Sequence, residues 1–136
     1  MQHAFKFAVL VVLAILTACG ATTTISNTTS TSKEITVAQL KNMLDQNENF
    51  LLLDVRTPAE FLQDGRVAQS TLIPLQELEQ RLNELPTDKP IVCICRSGNR
   101  SAAACDLLRS RGYEAINVAG GIRAWKAAGY PTVFGQ

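Results

Sequence analysis

Residues 91–101 read IVCICRSGNRS. The opening stretch, residues 91–95, is a short unbroken apolar run. A run of that kind, without alternation of apolar and polar positions, marks a strand buried on both faces of a parallel sheet. Residues 99–111 then read as a helix, with Gly112 as its stop. Between the two lies a short loop containing Gly98. A strand, a tight loop and a helix in this order put the loop at the carboxyl end of a strand, which is where open α/β sheets bind their ligands.

The same alternation continues on both sides. Residues 50–55 (FLLLDV) and 115–118 (AINV) are further buried strands, residues 70–74 (STLIP) a short one, and Glu34-Ile35-Thr36 an edge strand. Thr36 and Gln39 have capping-box spacing ahead of Val37, Leu40, Met43 and Leu44, which recur at helical intervals; that helix stops near residues 47–49. Thr57 and Glu60 form a second capping box, with Pro58 at the first helical position, and this short helix ends before Gly65. Residues 75–85 (LQELEQRLNEL) place Leu75, Leu78, Leu82 and Leu85 on one helical face, closed by Pro86. A last helix over residues 122–128 carries Trp125, follows the tight turn Gly120-Gly121 and is capped by Gly129. Strands alternating with helices predict a three-layer α/β domain around a mainly parallel sheet, spanning residues 34–136.

The composition narrows the function. A chain of 136 residues suits one domain, and 46% hydrophobic against 18% charged content suits a folded core. A formal net charge of +1 argues against a broad nucleic-acid footprint. Four cysteines are too few for a disulfide-dense miniprotein, and a single histidine, His3, excludes a multi-His metal site. No metal or organic cofactor is implied.

The N-terminal region reads as an export signal. A mildly basic start, residues 1–6, precedes the apolar residues 7–16 (FAVLVVLAIL), a run shorter than the roughly 20 residues that span a bilayer. Leu16-Thr17-Ala18-Cys19 is similar to a bacterial lipobox. That resemblance implies cleavage after residue 18 and acylation of Cys19. Two or more acyl chains anchor a protein stably to a membrane. The domain is then expected to face the periplasm, and Gly20 in place of Asp leans toward the outer membrane in a Gram-negative host. Residues 19–33 are rich in Ser and Thr, lack apolar periodicity and read as a flexible tether, able to reach roughly 50 Å when extended.

The chemistry is expected at Cys95. Successive backbone N–H groups of a short loop can converge into an anion-binding nest, and the following helix adds the positive end of its dipole. Arg96 and Arg100 add two formal charges. These features favour a thiolate well below the free-cysteine value of about 8.5. No histidine stands near to act as base, which argues against a protease-type Cys-His pair. Cys93, inside the strand, and Cys105, on the apolar stripe of the helix, read as core residues. Disulfide chemistry through Cys93 and Cys95 is disfavoured, because alternate residues on one strand lie about 6.5–7 Å apart at Cα.

Taken together, Cys95-x-x-Gly98-x-Arg100, Asp54-Val55-Arg56 followed by Glu60-Phe61, Ile73-Pro74, Gly120-Gly121-Ile122 with Trp125, and Gly129-Tyr130-Pro131 closely resemble the rhodanese-like family in its single-domain form. The resemblance runs from about Ile35 to Pro131. It implies a five-stranded parallel sheet between helices, and transfer of sulfane sulfur through a persulfide on Cys95. It implies that Arg96, Ser97, Gly98, Asn99 and Arg100 line the anion pocket, with Ser101 behind them. Asp54 and Arg56 resemble the family's structural ion pair near the site, and Trp125 reads as core. A loop of six residues from Cys95 to Arg100 resembles the sulfurtransferase form, the related phosphatases and arsenate reductases having one residue more. The chain departs from the family at residues 65–70, where Arg66 replaces the usual His and Gln69 a later Gly.

The expected reaction moves sulfur from a small anionic donor, such as thiosulfate, to a thiol acceptor of unknown identity, or to cyanide in an assay. A persulfide carrier or interaction module with slow turnover is the alternative left open by the sequence.

Overall fold

The computed structural model describes residues 33–135. The export signal, Cys19 and the tether before Lys33 lie outside the described residues, as does Gln136. Five strands, β1 (Glu34–Ile35), β2 (Leu51–Asp54), β3 (Thr71–Leu72), β4 (Ile91–Ile94) and β5 (Ala115–Val118), form one sheet in the order β1-β5-β4-β2-β3, and every pairing is parallel. The helices are α1 (Val37–Asp45), α2 (Pro58–Gln63), α3 (Leu75–Leu78), α4 (Asn99–Ser110) and α5 (Gly121–Ala127). No helix among the described residues is long and apolar enough to cross a membrane.

Side-chain parity divides the core into two layers. Along β4, Ile91 and Cys93 point into one cluster, with Leu53, Ile73, Leu78, Cys105 and Leu108. Val92 and Ile94 point into the other, with Leu40, Leu52, Ile116, Ile122 and Trp125. All four β4 residues are buried, which is why the strand shows no alternation in sequence. Trp125 is a core residue, its Nε1–H donating to the Pro131 carbonyl at 2.9 Å and its ring meeting Tyr130 edge-on.

Both capping boxes form. The Thr36 hydroxyl accepts from the Gln39 amide while the Gln39 side chain accepts from the Thr36 amide, and Thr57 and Glu60 repeat the exchange at α2. The expected single helix over residues 75–85 does not form. It breaks after α3 into a 3-10 segment, Glu79–Glu84, with Arg81 at φ −115° and ψ 17°. Leu75/Leu78 and Leu82/Leu85 are each three apart, a spacing that a 3-10 turn satisfies as well as an α turn over so short a span. Leu85 is extended, as a residue before proline is biased to be.

Residues 65–70 take a defined shape despite their departure from the family pattern. Arg66 pairs with Val133 in an isolated antiparallel bridge, both N–H···O distances being 2.9 Å, and its guanidinium lies over the Phe61 ring, 4.6 Å from the centroid.

Candidate active site

The buried strand β4 ends at Ile94, and α4 begins at Asn99. Between them the chain turns on Gly98, whose φ of +101° is a left-handed conformation that glycine adopts without a Cβ penalty. This turn brings the start of α4 back over Cys95. The Gly98 N–H donates to Cys95 Sγ at 3.2 Å, and the Ser101 hydroxyl reaches the same sulfur at 3.3 Å. Ser101 is fully buried, and its hydroxyl also lies 3.1 Å from the Gly98 carbonyl, which holds its rotamer in the loop.

Cys95 is only 1% exposed. Burial by itself pushes the thiol up. The Ser101 hydroxyl and the amides of Ser101, Ser97 and Gly98 outweigh it, and the thiol sits below its ordinary value. Cys93 behaves oppositely: contact with Cys105 and burial push it well up, as befits an inert core thiol. Cys105 is drawn below its ordinary value by its contact with Cys93, inside the core, so what sets Cys95 apart among the three described cysteines is its place at the end of β4, where the Gly98 N–H and the Ser101 hydroxyl meet its sulfur.

The arginines divide the work differently from the sequence expectation. Arg100 does not stand free in the loop. It donates to both Glu60 carboxylate oxygens, at 2.8 and 2.6 Å, and so clamps the first turn of α4 to α2. That clamp holds the Glu60 carboxyl down at about 2, with hydrogen bonds from Thr57 assisting. Arg96 is exposed and its side chain makes no hydrogen bond or ion pair among the described residues, leaving its charge available at the loop mouth. Ser97 and Asn99 are also exposed at the loop. The lowered thiol value thus comes from hydrogen bonds of the loop amides and of the Ser101 hydroxyl.

Asp54, the last residue of β2, and Arg56 form a fully buried ion pair at 2.7 Å. The Arg56 Nη2 also donates to the Gly65 carbonyl, at 3.0 Å, so the pair ties the loop after α2 to the sheet. From the other side, α5 is stitched to the Cys95 loop by its first turn: the Ile122 N–H donates to the Cys95 carbonyl at 2.8 Å and the Arg123 N–H to the Arg96 carbonyl at 3.0 Å. Gly121 makes this approach possible. A Cβ there would run into the Cys95 carbonyl oxygen and come within 2.8 Å of the Arg96 carbonyl carbon. The involvement of Gly121 and α5 in the loop was legible only as a tight turn. Among the described residues, no cluster of His, Cys, Asp or Glu could hold a metal ion.

The sequence and the fold that carry this loop are matched by known proteins. Residues 36–128 match the rhodanese-like domain. The chain belongs to the rhodanese-like family. It is 41% identical over 101 residues to a protein of Allochromatium vinosum named a sulfurtransferase, covering 74% of this chain and 94% of that one. Among solved structures, a rhodanese-related protein from Thermoplasma volcanium superposes with a TM-score of 0.69 at 39% identity, covering 74% of this chain and 97% of the other. A rhodanese-like domain protein from Staphylococcus aureus gives a TM-score of 0.65 at 34% identity, over 68% and 90% of the two chains. The five-stranded parallel sheet and its flanking helices are those of the rhodanese-like fold.

Proposed function

We propose that the protein is a sulfurtransferase that takes sulfane sulfur from thiosulfate, or a similar anionic donor, onto Cys95 and passes it to a thiol. Family membership and a relative named a sulfurtransferase support sulfur transfer in general. The observation that carries the particular reading is the cradle itself: a buried Cys95 Sγ receiving the Gly98 N–H and the Ser101 O–H, with the unpaired Arg96 at the mouth.

In the first half-reaction the Cys95 thiolate attacks the outer sulfur of thiosulfate. The new bond is Cys95 Sγ–S, the bond between the two thiosulfur atoms breaks, and sulfite leaves with that electron pair. The amides of the loop and the Ser101 hydroxyl hold the negative charge of the persulfide. In the second half-reaction a thiolate attacks the outer sulfur, and the electron pair returns to Cys95. This is covalent, two-step catalysis. A thiosulfate:cyanide assay tests it: turnover absent in Cys95→Ser supports the reading, and unchanged turnover in that variant sinks it. A chain that loads sulfur but turns over slowly is a carrier. We also read the protein as a lipoprotein held by Cys19 at a membrane and facing the periplasm, on the strength of the apolar residues 7–16 and the lipobox-like residues 16–19.

A further inference from the structure

Beside the Cys95 loop lies a cleft of about 380 Å³ lined by Arg56, Asp64, Arg96, Ile122, Arg123 and Lys126. Its charge is lopsided. Arg56 is neutralised by Asp54. Lys126 donates to the backbone carbonyl of Asp64, at 3.0 Å, a contact that leaves its charge uncompensated. Arg96 and Arg123 make no side-chain hydrogen bond or ion pair among the described residues, whereas Lys41, Arg56, Arg81, Arg100, Arg109 and Arg111 all hold carboxylates. Three uncompensated cations therefore face the single carboxylate of Asp64.

The cleft is fixed to the reacting loop, through the backbone bonds from Ile122 to Cys95 and from Arg123 to Arg96. Its volume falls within the roughly 300–1,000 Å³ of small-molecule pockets and far exceeds what thiosulfate fills. Arg96 belongs both to the cleft wall and to the Cys95 loop, while Cys95 Sγ is buried. A persulfide projects its outer sulfur about 2 Å beyond Sγ. The sulfur to be handed on is thus that outer atom, which an acceptor has to reach rather than Sγ.

We propose that this cleft is the acceptor subsite, and that Arg96, Arg123 and Lys126 select a small-molecule thiol bearing two or more carboxylates. The inference rests on the reading of Cys95 as the sulfur-carrying nucleophile. The persulfide anion first takes a proton from solvent, and the acceptor thiolate then attacks its outer sulfur. A bond forms between the two, the Cys95 Sγ–S bond breaks, its electron pair stays on Sγ as thiolate, and the acceptor departs as its own persulfide, with the proton on the outer sulfur and its carboxylates still charged. No oxidant or reductant is required. Arg123 is a specificity-determining residue in this scheme and takes no part in bond making.

The test loads the full chain with thiosulfate, removes the donor, and follows sulfur transfer to mercaptosuccinate and to 2-mercaptoethanol at equal thiolate concentrations. In Arg123→Glu the mercaptosuccinate rate should fall about tenfold more than the 2-mercaptoethanol rate, in line with electrostatic focusing by a charged cleft, and loading should fall less than the mercaptosuccinate step. Arg123→Lys should keep most of the preference. An equal fall for both thiols, or a larger fall in loading than in transfer, overturns the proposal. If thiosulfate leaves no sulfur on Cys95, the proposed function fails by itself, and the cleft is judged by titrating methylthiosuccinate, an unreactive analogue, into the unmodified chain by amide NMR. Saturable shifts at Arg123 that vanish in Arg123→Glu support the subsite; no binding, or binding unchanged in the variant, overturns it.

Discussion

Arg100 grips both carboxylate oxygens of Glu60, joining the first turn of α4 to the capping box of α2 across 40 residues of chain. The same carboxylate accepts the Thr57 N–H at 3.0 Å, so one acid caps one helix and positions another. Arg100→Ala is therefore expected to loosen the loop that cradles Cys95 and to lower sulfur transfer more than it lowers donor binding. A part-buried, bidentate pair of this kind is worth roughly 1–2 kcal/mol. Steady-state kinetics and urea unfolding of Arg100→Ala and Glu60→Gln check both parts.

The Glu60 clamp also sets a pH dependence. Its carboxyl is held at about 2 in the fold, whereas an unfolded glutamate titrates near about 4.3. A depressed folded value contributes stability that is fully present above the unfolded value and lost as pH falls through the folded one. Unfolding measured from neutral pH down toward about pH 2 should show a loss that is smaller in Glu60→Gln. Parallel curves for the two proteins would count against the clamp.

Ser101→Ala removes the hydroxyl from Cys95 Sγ without disturbing a large side chain. The Cys95 thiol should titrate higher than in the parent, read from the pH profile of iodoacetamide alkylation. Arg96→Ala should move that profile less, because its charge stands at the mouth, and should instead raise the Michaelis constant for thiosulfate. High salt should mimic the Arg96 change.

Gly121→Ala puts a Cβ against the Cys95 and Arg96 carbonyls at a residue with φ of +54°. Strain and clash together should cost roughly 2–4 kcal/mol in urea unfolding. By contrast, Cys93→Ala and Cys105→Ala should keep activity and lose only about 1 kcal/mol from core packing.

The strands and the place of Cys95 at a strand end were readable because local patterns determine them. The apolar run at residues 91–95 has one good solution, a doubly buried strand, and β4 takes it. Capping boxes at Thr36 and Thr57 are local hydrogen-bond exchanges, so they too are visible in sequence. Tertiary pairing is not. Nothing near Arg100 in the chain says that its charge goes to Glu60, and nothing near Arg123 says that it stands beside Arg96. The break at Arg81 was hidden for a different reason, since the pairs Leu75/Leu78 and Leu82/Leu85, each three apart, fit an α turn and a 3-10 turn alike.

The anchor is tested by fractionation. Cys19→Ser should move the exported protein from membranes to the soluble fraction, and a parent chain that is already soluble would contradict the lipoprotein reading.

The central claim is that Cys95 carries sulfur, and intact mass after thiosulfate treatment measures it most directly. The account predicts a gain of about 32 Da, located on Cys95 by peptide mapping, reversed by a thiol and absent in Cys95→Ser. No mass gain, or a gain located on Cys93 or Cys105, would contradict it.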